Sequence, residues 1–161
     1  MRSCFCYNDR ELIDRESILF CIDDRIKSSS FIIGEWPLST VLLKNDASYP
    51  WFILVPRRMD IQEIHQLEKS DRFLLIEEIN QLSLLASDYF KPDKLNIGAL
   101  GNIVPQLHIH IVIRRKSDPL WPQGIWQASM PSIPYPESEL KSLLPTLGDL
   151  VGAYDKPQSL C

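Results

Sequence analysis

Nowhere does the chain hold the ~20 consecutive apolar residues that a membrane-spanning helix needs, and its N-terminus lacks the charged-then-apolar pattern of a secretory signal. A cytoplasmic protein with no membrane contact is the expectation. Excess positive charge is missing as well: the formal net charge is −4, so nothing draws the whole molecule to a nucleic-acid backbone, and no nucleic-acid polymer is expected as a partner. Cysteine is scarce and scattered, at Cys4, Cys6, Cys21 and Cys161, too dispersed for paired zinc ligands and too few for a disulfide framework. Free thiols are the default. There is no internal repeat, and the only compositionally biased passage is rich in proline. Histidine occurs only at His65, His108 and His110, which makes the closeness of the last two informative.

What is present suits one globular domain of 161 residues, 45% hydrophobic and 24% charged. The first thirty residues read as an amphipathic helix or irregular lead-in, with "ELIDRESILF" the most helical stretch. "FIIGEW", "STVLLKN" and "WFILVPRR" are strand candidates separated by Pro37 and the turn-like "NDASYP", the third stopped at Pro56. Short apolar runs joined by tight turns predict an antiparallel meander. In "SDRFLLIEEINQLSLLASDYF" the period changes: Leu75, Ile79, Leu82 and Ala86 recur at helical spacing, with Ser70 as the predicted N-cap and Pro92 just beyond the end. This helix should pack on one face of the sheet and leave the other for a ligand or partner. "KLNIGALGN" returns to strand and is predicted to form a hairpin with the run that follows. Beyond Lys116 the chain becomes irregular and proline-rich, with Trp121 and Trp126 expected to pin it to the domain. "ESELKSLLPTLGDLVGAY" predicts a short C-terminal helix interrupted at Pro145.

The chemistry concentrates in "QLHIHIV". Strand side chains alternate between faces, so Leu107, Ile109 and Ile111 share an apolar face while Gln106, His108 and His110 share the opposite one. Polar groups on a sheet face require water, a ligand, a metal or a satisfied hydrogen-bond network. A neutral imidazole can attack phosphorus without a metal once one ring nitrogen's proton is held and the other presents its lone pair. Two histidines at i and i+2 can equally ligate a metal, with a carboxylate completing the set. His65 offers little there, since in "DIQEIHQLEKS" it reads as an exposed helix-edge residue. Basic residues cluster at Arg57 and Arg58 and at Arg114, Arg115 and Lys116, either as local anion contacts or as solvated strand ends.

Taken with the order of elements around it, "QLHIHIV" resembles the His-φ-His-φ-His-φ-φ signature of the histidine triad (HIT) superfamily, where φ is apolar and Gln106 stands in the first place. "YPWFILVPRR" is similar to the family's P-x-H-φ-φ-V-x-P-K strand, with Trp51 in place of the histidine and Arg57 in the basic place. "LGN" resembles the Gly-Gln pair that precedes the triad. The resemblance spans roughly residues 35 to 126 and implies an α+β fold: a HIT-like antiparallel sheet with one long helix packed on it, residues 1–126 forming this domain and 127–161 a Pro-rich C-terminal extension. It also implies a homodimer, a small-molecule nucleotide as partner, no cofactor, and metal-independent cleavage at the α-phosphate through a nucleotidyl-histidine intermediate. His108 would be the nucleophile, His110 a donor to the phosphate oxygens and Gln106 the third member of the catalytic set. Asn102 would contact phosphate, Asn45 the ribose hydroxyls, and Asn96 the nucleotide from the neighbouring strand.

Three positions depart from the pattern: Gln106, Trp51, and Ile103 where a Ser or Thr often stands. Trp51 is read mainly as filling the volume of the missing histidine. The loss of a hydroxyl at Ile103 matters more, because that group sits close to the scissile phosphate, and it favours dinucleoside polyphosphates, whose leaving groups need the least help, over amine adducts. Three rival readings stay open: a metal site on His108 and His110, a nucleotide-binding module without turnover, and a satisfied polar network on a dimer surface.

Overall fold

The apolar runs fold into one sheet in the computed structural model, whose described residues are 20–127 and 131–155. The strands are β1 (Ser30–Glu35), β2 (Ser39–Lys44), β3 (Trp51–Pro56), β4 (Lys94–Gly98) and β5 (Ile109–Arg114), paired antiparallel throughout in the order β1-β2-β3-β5-β4. The helices are α1 (Asp24–Lys27), α2 (Lys69–Phe90) and α3 (Glu137–Gly152). The predicted meander, hairpin and long helix are all present. The helical expectation over residues 11–19 lies outside the described residues.

Strand alternation divides the core. Val41, Leu43, Phe52, Leu54, Ile109 and Ile111 point toward α2 and α3 and form the main cluster with Leu75, Leu82, Ala86, Leu147 and Val151. Leu42, Ile53, Val55 and Val112 point the other way, toward the histidines. The C-terminal extension therefore completes the main core through α3, which packs closely on β1. Gly34 permits that approach, since a Cβ there would lie 2.6 Å from Val151 Cγ2.

Four predicted details differ. β5 begins at Ile109 rather than Gln106, because the N–H of Leu107 bonds to the Ile61 carbonyl instead of a strand neighbour. α2 is capped at Glu68 with no side-chain cap, and Ser70 lies inside its first turn. The buried line of α2 includes Glu78, whose Oε1 accepts the Leu38 N–H at 2.8 Å and caps the β1–β2 turn. Finally, α3 runs unbroken through Pro145. The proline lies on the exposed face, where the Lys141 carbonyl it leaves unbonded can reach water.

Candidate active site

His108 is buried, and its Nδ1 lies 2.7 Å from the backbone carbonyl of Gln106. A carbonyl can only accept, so Nδ1 carries the proton and Nε2 presents its lone pair. His110 is held in the opposite tautomer. The Trp51 indole N–H, which can only donate, points at His110 Nδ1 from 3.0 Å, and the neutral ring therefore carries its proton on Nε2. Burial, with help from the nearby His108 and Lys44 charges, lowers the His110 pKa to about 3. The two imidazoles stand edge to face with centroids 4.7 Å apart. The pair thus combines a nucleophilic nitrogen with a neutral N–H donor at working pH.

Both of Gln106's amide groups are engaged: Oε1 accepts the Asp23 N–H at 2.8 Å and Nε2 donates to the Cys21 carbonyl at 2.9 Å. An open recess in front of His108 is lined by Gln62, Glu63, Leu100, Gly101, Gln106 and His108. Its rim is the loop from Ala99 to Pro105, where Gly101 takes a φ of 69° that favours glycine and where Asn102 is exposed. The structure therefore brings Gln106, His108 and His110 together, with Asn102 on the adjoining loop. Asn45 stands beyond the end of β2, its Oδ1 accepting the Tyr135 N–H at 3.0 Å. Asn96 shares the histidine face by register, its Oδ1 accepting from Arg114 at 2.7 Å.

Of the two readings of the basic cluster, local anion contacts or solvated strand ends, Arg114 rules out the second for itself. It is 1% exposed, bonded through Nε to Asp118 at 2.6 Å and through Nη1 to Asn96 and the Gln123 carbonyl, between the rings of Tyr49 and Trp121. This network ties down the segment after β5 and sets Trp126 against Gly98, 6.4 Å from the His110 ring. Arg57 and Arg58 are also structural, donating respectively to the Trp36 carbonyl and to Asp71. His65 is exposed as expected. Among the described residues no three His, Cys, Asp or Glu side chains converge as a metal site.

The HIT domain family model matches residues 25–117, more than half of the chain. The chain belongs to the HIT domain family. Among solved structures, a histidine triad protein from Bradyrhizobium japonicum is 40% identical, with a TM-score of 0.78 over 82% of this chain and 98% of that one. Another from Sinorhizobium meliloti is 38% identical, TM-score 0.77, over 81% and 96%. A third from Marinobacter aquaeolei is 39% identical, TM-score 0.79, over 83% and 96%. No curated protein matches the chain significantly.

Within this HIT site, three features escaped the sequence reading. Trp51, expected as filler, is a hydrogen-bond donor to His110, a role its place on the strand beside β5 could have suggested. Lys44 alternates with Leu42 and so faces the histidines, close enough to act on His110 electrostatically. The segment from Phe20 to Lys27 lies across the histidine face, with Phe20, Ile22 and Ile26 packed on Leu42, Ile53, Val55 and Val104. No local sequence signal placed it there.

Proposed function

We propose that this HIT protein is a metal-independent nucleotidyl hydrolase acting at the α-phosphate of a nucleoside polyphosphate, with dinucleoside polyphosphates as the favoured substrate class. The observation that carries this reading is the fixed tautomer of His108, a buried imidazole with its Nδ1 proton on the Gln106 carbonyl. Its Nε2 attacks the α-phosphorus; the bond to the bridging oxygen breaks, and the departing phosphate chain takes the electron pair. The Gln106 carbonyl stabilises the cationic ring of the nucleotidyl-histidine intermediate. The neutral His110 Nε2–H donates to a non-bridging phosphoryl oxygen as charge builds there. Water then attacks the same phosphorus and gives up a proton to solvent; the P–Nε2 bond breaks with its electron pair returning to the ring, which releases the nucleoside monophosphate and restores neutral His108.

Asn102 is the phosphate contact on the adjoining loop. Asn45 and Asn96, whose side-chain hydrogen bonds among the described residues engage only the amide oxygen, each keep an amide donor for the nucleoside. Ile103 is 81% exposed at the rim and supplies no hydroxyl, which favours a leaving group that departs unaided. A homodimer fits the free edge of β4, beside which Ile97 and Leu100 are exposed.

The test is turnover by metal-stripped protein on diadenosine tetraphosphate and an adenosine phosphoramidate, with intact-mass detection of a covalent adduct. Turnover and an adenylyl adduct, both lost in His108→Ala, are expected. Adenylate binding with neither turnover nor adduct would sink the hydrolase and favour a binding module.

A further inference from the structure

The segment across the histidine face does more than cover apolar side chains. Gln106 holds it by both ends of its amide, as one strand holds another. Two residues past the Asp23 N–H that Gln106 grips, Arg25 reaches over to the rim loop. Its Nη1 donates to the Ile103 carbonyl at 2.6 Å, while Nε and Nη2 donate to the two oxygens of Asp23 at 2.9 and 2.7 Å. The guanidinium is thus fixed at two points, with its plane set by the carboxylate.

From this geometry we infer that Arg25 binds the departing phosphate chain and determines the choice of leaving group, an inference that rests on the nucleotidyl reading of His108. Four observations carry it. Arg25 is tethered to the backbone carbonyl of Ile103, the residue at which the family hydroxyl is missing, so a cation is anchored on the loop that has lost a neutral donor. Its tether Asp23 gives its N–H to the side chain of Gln106, the same residue whose carbonyl holds His108 Nδ1, which sets the guanidinium's anchor one residue's span from the nucleophile. A guanidinium has five N–H groups, and the two not used above have no partner among the described residues. Its side chain is 55% exposed, open to an incoming ligand even though three donors are committed.

Breaking the bond between the α-phosphorus and the bridging oxygen leaves a full negative charge on the released chain. A polyphosphate presents further anionic oxygens to the same fork, whereas an amine or amino acid leaving group presents none. Arg25 therefore acts on polyphosphate substrates in particular. The competing account makes Arg25 only a latch that holds the loop through the Ile103 carbonyl. A latch would affect all substrates alike and would not touch free polyphosphate.

The experiment measures wild type, Arg25→Ala and Arg25→Lys in two ways: calorimetric binding of inorganic tripolyphosphate, and kcat/KM for diadenosine tetraphosphate relative to an adenosine phosphoramidate. Expected are a fall of about tenfold or more in tripolyphosphate affinity for Arg25→Ala, and a comparable fall in the ratio of the two kcat/KM values. Arg25→Lys keeps the cation and its reach to the carbonyl but loses the fork, and should fall between. Equal tripolyphosphate affinity in all three proteins, with both substrates slowed by the same factor, would overturn the inference in favour of the latch. If the wild type turns over neither substrate, the hydrolase reading has failed. The tripolyphosphate measurement then decides alone: affinity lost in Arg25→Ala keeps Arg25 as a phosphate contact, and affinity unchanged removes it.

Discussion

The face of the sheet beneath α2 and α3 is lined by aliphatic and aromatic side chains that satisfy one another mainly by contact, with Glu78 and Trp36 adding buried hydrogen bonds. The opposite face sets Leu42, Ile53 and Val112 among His108, His110, Lys44 and Trp51, and there each described hydrogen bond of an imidazole has a specific partner. Contact packing tolerates many arrangements of similar volume, whereas a hydrogen bond to one ring nitrogen has a single geometry. One face therefore carries the larger apolar cluster and the other the residues proposed for the chemistry. The widest separation should appear in His108→Ala, for which kcat should fall at least about 10⁴-fold while folding stability changes by no more than about 1 kcal/mol. Single-turnover kinetics beside a urea titration reads both.

The converse change lies on the other face. Leu75 is completely buried at the centre of the α2 contact, and Leu75→Ala should destabilise the fold by about 2–5 kcal/mol through lost contacts and a residual cavity. Well below its melting transition the variant should keep its kcat. A large fall in kcat for folded Leu75→Ala would break the division between the faces.

The helix-side face was legible from the chain because its rule is local. Period 2 in the histidine strand and period 3.6 in α2 assigned Leu107, Ile109, Ile111, Leu75, Leu82 and Ala86 to the core, where they lie. Half of the histidine face was legible for the same reason, since alternation alone put Gln106, His108 and His110 on one side. The partners were not legible. Trp51 lies 59 residues from His110, and Asp23 lies 83 from Gln106, so these contacts exist only once β3 has paired with β5 and the N-terminal segment has been laid across the sheet. Arg114 and Glu78 were misread or missed because charge normally predicts exposure. Each is buried with partners supplied by other elements, namely Asp118 and Asn96 for the arginine and the Leu38 N–H for the carboxylate.

Protonation sharpens the comparison further. The folded-state pKa of His110 is depressed to about 3, chiefly by burial, so the unfolded chain takes up a proton as pH falls through 6.5 while the native ring stays neutral. Stability is therefore full above pH 6.5 and is lost as pH falls toward 3, at about 1.4 kcal/mol per unit within that window. Glu78 slopes the other way: burial raises its pKa, so its contribution declines as pH rises above the ordinary carboxylate range. Urea midpoints of wild type and His110→Gln between pH 4 and 7 separate the two. The acid loss should be shallower in the variant, and identical curves would refute a half-buried His110 that stays neutral.

The smallest effect is the most specific to the histidine face. Trp51→Phe keeps most of the ring volume against Ile53 and Val112 but removes the one N–H that fixes His110 Nδ1 as an acceptor. The His110 proton is then free to sit on either nitrogen, and the fraction of molecules presenting Nε2–H to the phosphate drops. One hydrogen bond of this kind is worth about 1 kcal/mol, so kcat should fall between about fivefold and tenfold, with KM little changed because the donor acts as charge develops. Trp51→His, which can donate to the same nitrogen, should recover part of the loss, whereas a partner that served only as filler would leave Trp51→Phe the more active of the two. The order of those two variants, read in a single kcat comparison, tells whether this chain has replaced a histidine network with an indole or merely filled its space.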